Sequence, residues 1–140
     1  MKVRDIMTSP ALSVGRETNL QHIAVLMKDN DIGVIPVCDN DGNILGIVTD
    51  RDIVIRAISQ NKSITETTAE EVMTKDVTTI SPYTDLDDAF DIMSDMQVRR
   101  LPVVDKRELV GILTMGDLSQ SVDYSLEVSD ALCEVCKGCE

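Results

Sequence analysis

Three sets of side chains in this sequence stand at spacings that could do chemistry. Thr49-Asp50-Arg51-Asp52 and Thr114-Met115-Gly116-Asp117 each place a threonine three residues ahead of an aspartate. That is the pattern of a hydroxyl N-cap whose capping box is closed by a carboxylate favoured by the helix dipole. Arg51, Arg99 and Arg100 are the local cations that could hold an anion, helped by helix N-termini. Cys133-x-x-Cys136-x-x-Cys139 sets three thiols at two-residue gaps. Such thiolates can take a soft metal such as zinc, or an iron-sulfur cluster, with Cys38 or a dimer partner supplying a fourth ligand. A redox pair such as Cys136 with Cys139, or a thiol-bearing tail without metal, are the competing readings of the same residues. No Ser-His or Cys-His constellation and no P-loop is present, and His22 is the only histidine. The chain is therefore not expected to be an enzyme.

Charge narrows the partners. The 140 residues carry 13 basic and 25 acidic side chains, a net charge of −12. That field opposes binding to nucleic acid or an anionic membrane, so any anionic ligand must be held locally. No apolar run approaches roughly 18 residues and no signal peptide is evident, which points to a cytoplasmic protein. The four cysteines do not form the spacing of a secreted disulfide framework. With one Phe and two Tyr, the core must be built from Ile, Leu, Val and Met. Met7, Met27, Met73, Met93 and Met96 read as packing.

The elements that must position these residues occur twice. Asp5-Ile6-Met7-Thr8 returns as Glu71-Val72-Met73-Thr74, Thr18-Asn19-Leu20 as Thr84-Asp85-Leu86, and Ile35-Pro36-Val37 as Leu101-Pro102-Val103, all 66 positions apart. Gly46 to Ile53 returns as Gly111 to Leu118 at an offset of 65, because the second copy lacks one loop residue. Within each copy, Leu20, Ile23, Ala24 and Met27, or Leu86, Ala89, Phe90 and Met93, mark one buried helical face. Thr18 and Thr84 are the expected N-caps, with Gln21 and Asp87 in capping-box positions.

Short strands are expected at Ala11 to Val14, Gly33 to Cys38 and Ile44 to Val48. Their counterparts are Val77 to Ile80, Val98 to Val104 and Leu109 to Leu113, with Pro36 and Pro102 shaping the strand they interrupt. Each unit reads β-α-β-β-α, an α+β (α/β-like) fold. The expected organisation is a first unit at 1–60, a linker at 61–70, a second unit at 71–122 and a Cys-rich tail at 123–140. Half of the chain is too small to fold comfortably alone, so the halves are expected to pack on each other.

The two D/E-h-M-T openings, two h-P-V-h strands and two G-h-h-T-x-x-D closings, in this order, resemble a tandem pair of CBS domains, or Bateman module, over residues 3 to about 120. Val98 to Asp105 and Thr49 to Ile53 are similar to small stand-alone bacterial CBS-pair proteins, including the hypoxic response protein type. The resemblance implies two units related by a pseudo-twofold, with clefts for adenine nucleotides or related adenosyl compounds. One cleft would combine Thr49, Arg51 and Asp52 with Val98, Arg99, Leu101 and Pro102, with Arg100 nearby. The other would combine Thr114 and Asp117 with Ile32, Gly33, Ile35 and Pro36. An aspartate on a helix's first turn would accept from ribose hydroxyls, and the arginines would meet phosphates.

In the alignment of the copies Arg51 faces Gly116, Arg99 faces Gly33 and Arg100 faces Val34. The Asp52 cleft is thus the expected phosphate site, and the Asp117 cleft is weaker, empty or suited to an uncharged adenosyl group. The resemblance further implies a homodimer acting on a separate, unknown protein target, with AMP, ADP, ATP or S-adenosylmethionine as candidate ligands. A structural CBS pair with empty clefts, and a metal or redox sensor working through the tail, are the alternatives.

Overall fold

The apolar residues Leu20, Ile23 and Met27 recur at helical spacing, and they form the buried side of a helix over Leu20–Asn30. The computed structural model describes residues 1–120. In chain order its elements are α1 (Val3–Ile6), β1 (Val14–Gly15), α2 (Leu20–Asn30), β2 (Val34–Cys38), β3 (Ile44–Thr49), α3 (Asp50–Arg56), α4 (Ala69–Val72), α5 (Leu86–Met96), β4 (Arg100–Asp105), β5 (Glu108–Thr114) and α6 (Met115–Ser119). They fall into two compact units. A continuous unit spans Leu12–Val77, and a split unit joins Met1–Ala11 to the chain from Thr78.

Each unit has its own apolar core. In the continuous unit Leu20, Ile23, Ile35, Val37, Val48 and Val72 are fully buried together. In the split unit Val3, Leu86, Met93, Leu101, Leu113 and Leu118 are buried together. Ala24 is exposed rather than buried, and Phe90 is partly buried against its unit's core.

Both long helices begin one residue later than the threonines suggest. Asn19 is the N-cap of α2, its side chain accepting from the His22 amide at 2.8 Å. Asp85 is the N-cap of α5 but makes no capping bond; its carboxylate accepts from Lys2 Nζ at 2.6 Å instead. That hydrogen bond, with the charge of Lys2, holds the Asp85 carboxyl below its ordinary range. Thr18 and Thr84 are occupied differently: their carbonyls accept from the amides of Ala69 (2.8 Å) and Val3 (2.9 Å). Both helices end on a left-handed residue, Asp31 (φ 52°) or Gln97 (φ 54°). The next amide, of Ile32 or Val98, turns back to the carbonyl of Met27 or Met93, and both of these apolar residues pack on the core of their own unit. This is a Schellman closure with its usual hydrophobic contact. It explains why β4 starts at Arg100 and not at Val98.

The strands form hairpins. β2 pairs antiparallel with β3 and β4 with β5, each with a register shift after the fourth paired residue, between Val37 and Cys38 or between Val103 and Val104. The outer strand is shorter than expected in both units. β1 pairs parallel with β2 through Val14 and Gly15, and in the split unit Ile80 alone bridges Val103. The Pro102 carbonyl accepts from the Ile80 amide at 3.1 Å. A residue's N–H and C=O lie on the same side of a strand, so the donor that proline lacks would have faced this short strand and not β5. The first hairpin turns through Asp39, whose carboxylate accepts from the amides of Asp41 and Asn43, both at 2.9 Å. The second turns through Lys106 (φ 52°) and Arg107 (φ 73°), a two-residue loop with both residues left-handed.

Packing groups the repeat openings differently from their order in the chain. Residues 1–60 and 71–122 follow the repeat, yet Asp5-Ile6-Met7-Thr8 packs with the second copy's hairpin and Glu71-Val72-Met73-Thr74 with the first. Thr8 and Ile112 exchange backbone hydrogen bonds at 2.9 and 3.0 Å, and Thr74 and Ile47 do so at 2.8 and 3.0 Å. The expected linker at 61–70 is built into the continuous unit. Thr67 is buried, its carbonyl accepts from the Leu20 amide, and that of Ile64 accepts from Gln21.

These exchanges explain two glycines. A Cβ on Gly46 would stand 2.6 Å from the Thr74 carbonyl oxygen, and one on Gly111 would stand 2.9 Å from that of Thr8 and 2.7 Å from Met7 Sδ. Backbone cannot step aside as a flexible side chain can. Gly46→Ala and Gly111→Ala are expected to lower stability by about 1 to 3 kcal/mol each in urea unfolding; unchanged midpoints would contradict the close approach. Arg107→Gly is expected to raise stability by about 0.5 to 1 kcal/mol by relieving a left-handed arginine, read as a higher thermal midpoint.

Candidate ligand-binding site

Each hairpin delivers the chain directly into a short helix, and the capping residues are the threonine and aspartate singled out by their spacing. Thr49 Oγ1 accepts from the Asp52 amide at 3.0 Å while Asp52 Oδ2 accepts from the Thr49 amide at 3.0 Å. In the split unit Thr114 and Asp117 repeat the box at 3.0 and 2.9 Å. Both pairs are therefore structural. An ionised carboxylate has about four lone-pair sites, so closing the box leaves acceptor capacity on each aspartate.

The start of each helix is tied to the start of the neighbouring strand. The Asp50 amide donates to the Gly33 carbonyl at 3.0 Å, and the Met115 amide to the Arg99 carbonyl at 2.9 Å. Val34 pairs with Thr49 and Arg100 with Thr114. Each unit thus brings one Thr-x-x-Asp beside one h-P-V-h strand: Thr49, Arg51 and Asp52 with Ile32, Gly33, Ile35 and Pro36, and Thr114 and Asp117 with Val98, Arg99, Arg100, Leu101 and Pro102. Ile35 and Leu101 lie within the cores of their units, so a ligand would meet their backbone before their side chains. Arg51, Arg99 and Arg100 are exposed.

The two strand starts differ in charge. At Gly33 the Asp50 carboxylate fills the space a side chain would use, with Oδ2 3.2 Å from the position of a Cβ. In the split unit the matching positions hold Arg99 and the buried Met115. Sequence spacing did not single out Asp50, nor Arg56, whose Nη1 donates to the carbonyls of Val72 (3.0 Å) and Met73 (3.2 Å). Its position four residues after Asp52 was the available signal.

Two open cavities lie within single units. One, of about 400 Å³, is lined by Asp117 together with Met1, Asp5, Ile6 and Gln120. The other, of about 420 Å³, is lined by residues 15–18 and 38–40 of the continuous unit. Cys38 is 7% exposed, and burial pushes its thiol pKa up, against a smaller lowering by a hydrogen bond with Ser13. A thiol held protonated is a poor nucleophile and a poor metal ligand. Cys133, Cys136 and Cys139 lie outside the described residues. Among the described residues no group of three or more His, Cys, Asp or Glu is placed to hold a metal ion, and no helix is long and apolar enough to cross a membrane.

A duplicated hairpin-helix unit with paired Thr-x-x-Asp caps defines a class, and comparison with known proteins agrees. The CBS domain family matches residues 3–58 and 69–124, and the chain belongs to that family as a tandem CBS pair. It is 39% identical over 117 residues to the CBS domain-containing protein YhcV of Bacillus subtilis, covering 84% of this chain and 82% of that one. It is 33% identical to hypoxic response protein 1 of Mycobacterium tuberculosis, with the same coverage. The crystal structure of Hypoxic Response Protein I with two coordinated zinc ions superposes with a TM-score of 0.80 at 32% identity, covering 87% of this chain and 99% of that one. The CBS domain pair of protein MJ0100, in complex with 5′-methylthioadenosine and S-adenosyl-L-methionine, superposes at 0.74 and 32% identity, covering 86% and 94%.

Burial makes a direct prediction for Cys38. With the tail cysteines replaced by serine, its alkylation by iodoacetamide at neutral pH should be at least about tenfold slower than that of a free thiol. Guanidinium unfolding should restore the rate, and fast labelling of the folded protein would contradict the burial.

Proposed function

We propose that this CBS pair is a non-catalytic, cytoplasmic ligand-sensing module that binds adenosyl compounds through its helix-start aspartates and adjoining strand residues. The observation that carries the reading is the repeated junction in which Asp52 or Asp117 caps a helix beside a strand start and keeps acceptor capacity. A carboxylate so held accepts hydrogen bonds from ribose hydroxyls with charge assistance. The adenosyl ligands in the related MJ0100 pair support the ligand class. Anionic nucleotides depend on Arg51, Arg99 and Arg100, whereas Gly33, with the Asp50 carboxylate over it, suits an uncharged adenosyl group.

The output passes to a separate protein, with the chain acting as a homodimer. Exposed Val54, Ile55 and Ile58, along α3 and the turn that follows it, support an apolar contact of this kind. Binding can drive such an output only if the ligand favours one arrangement over another.

Calorimetric titration with AMP, ADP, ATP, 5′-methylthioadenosine and S-adenosylmethionine tests the reading. Asp52→Ala and Asp117→Ala should each weaken at least one of these ligands by about tenfold or more, the scale of a charge-assisted hydrogen bond. Arg99→Ala should weaken ATP more than 5′-methylthioadenosine. Silence from all five ligands would overturn the proposal in favour of a structural pair.

A second reading rests on the two zinc ions of the related Hypoxic Response Protein I structure and on the three thiols at Cys133, Cys136 and Cys139. Zinc or iron retained by anaerobically purified full-length chain and lost on deletion of the tail would support it. Metal-free full-length protein would reject it.

A further inference from the structure

One side chain joins the candidate ligand carboxylate to the traded opening segment. Arg56 closes α3, and its Nε stands 3.8 Å from Asp52 Oδ1, an i,i+4 pair in which the Asp52 side chain is 13% exposed. From there the guanidinium reaches the carbonyls of Val72 and Met73, at 3.0 and 3.2 Å. These are end groups of α4, a helix of four residues whose last carbonyls have no partner within it. The same stretch is held from its other side. Met73 Sδ and Cγ lie 3.0 and 3.2 Å from the position a Cβ on Gly46 would take, and Thr74 is bonded to Ile47 in both directions. Three residues beyond Thr74 the chain leaves the continuous unit at Val77.

We propose that Arg56 is a positioning residue that ties Asp52 to Val72 and Met73, so that a ligand on Asp52 is felt in the segment through which the chain leaves its unit. The proposal rests on the adenosyl-binding reading for its ligand, and on the distances above for its relay. The carboxylate orients the guanidinium, and the guanidinium closes the end of α4. Hydroxyl donors arriving on Asp52 share its negative charge and weaken its hold on Arg56, so the Val72 and Met73 carbonyls lose part of their restraint. The device belongs to one copy. At the matching position, 65 residues on, the sequence carries Ser121, which has neither the charge nor the two-donor fork that bridges a carboxylate and two carbonyls.

Amide exchange of the full chain, followed residue by residue, tests the relay with and without ligand. The informative amides are those of Met73 and Thr74, with Ile23 in α2 as the internal reference for global stability. Without ligand, Arg56→Ala should speed exchange at Met73 and Thr74 relative to Ile23 by about tenfold, the scale of hydrogen bonds to a charged group. Asp52→Asn should speed it by about twofold, the scale of an i,i+4 ion pair. In the Arg56→Ala background Asp52→Asn should add nothing at these amides, which is the coupling a double-mutant cycle isolates. Arg56→Lys, which keeps the charge and loses the fork, should fall between.

Saturating AMP, and separately 5′-methylthioadenosine, should speed Met73 and Thr74 relative to Ile23 in the parent chain and leave that ratio unchanged in Arg56→Ala, although both proteins bind. Equal effects of Asp52→Asn in the two backgrounds, or no effect on these amides, would overturn the relay even where ligand binds. Binding that leaves the parent ratio unchanged would overturn it as well. Absence of binding in every variant would overturn the adenosyl reading and with it the ligand step, while the ligand-free cycle still decides whether Arg56 couples Asp52 to α4.

Discussion

The backbone exchange between Thr74 and Ile47, repeated between Thr8 and Ile112, brings one stretch of chain so close to another that no side chain fits between them. Glycine is required at 46 and 111 because a carbonyl oxygen already stands within 3 Å of where the Cβ would be. The methionine before each threonine lies over the same glycine, filling the space beside it with a flexible, polarizable side chain. The exchange also satisfies edge groups of β3 and β5 that would otherwise face an unpaired strand edge. Each hairpin consequently carries, as part of its own unit, an opening segment supplied by the other copy. The caps at Thr18 and Thr84 yield to the same constraint, since their carbonyls serve Ala69 and Val3.

The residues proposed to meet a ligand also serve the helix they begin. Thr49 and Asp52, and Thr114 and Asp117, form closed capping boxes, so removal of either partner costs helix stability whether or not a ligand is present. Their alignment owes nothing to a bound molecule. A carboxylate already oriented by backbone hydrogen bonds loses little further freedom on meeting a ligand. Charge then separates two junctions that share the same backbone pairing. The split unit's strand start bears Arg99 and Arg100, while that of the continuous unit bears Gly33 beneath an aspartate.

Much of the architecture was legible in the residues. The helical stripes at Leu20 and Leu86, the antiparallel hairpins and the helices opening at Thr49 and Thr114 follow from local period and capping chemistry, and each lies within a residue or two of its expected bounds. Less legible were features that depend on a distant partner. Thr18 and Thr84 looked like caps because hydroxyls are good caps, and only their bonds to Ala69 and Val3 reassign them. Val98 looked like strand because it is β-branched and apolar, whereas the left-handed Gln97 before it makes it the hydrophobic lid of a helix end. At the candidate site, Thr49, Asp52, Thr114 and Asp117 were found by spacing. Asp50 and Arg56 were not, because neither belongs to a recurring pattern.

The sequence alone specified the duplication, the β-α-β-β-α order, the two Thr-x-x-Asp capping pairs and the unequal distribution of arginines between copies. These depend on residue type and on separations of a few positions, which periodicity and repetition reveal directly. Tertiary structure decided which opening segment joins which hairpin, why residues 46 and 111 must lack a side chain, and that Arg56 reaches from a helix-start carboxylate to the end of α4. Those are contacts between stretches separated by 16 to more than 100 residues. Such contacts are set by which backbone groups find partners when the core closes, and local pattern carries no record of that choice.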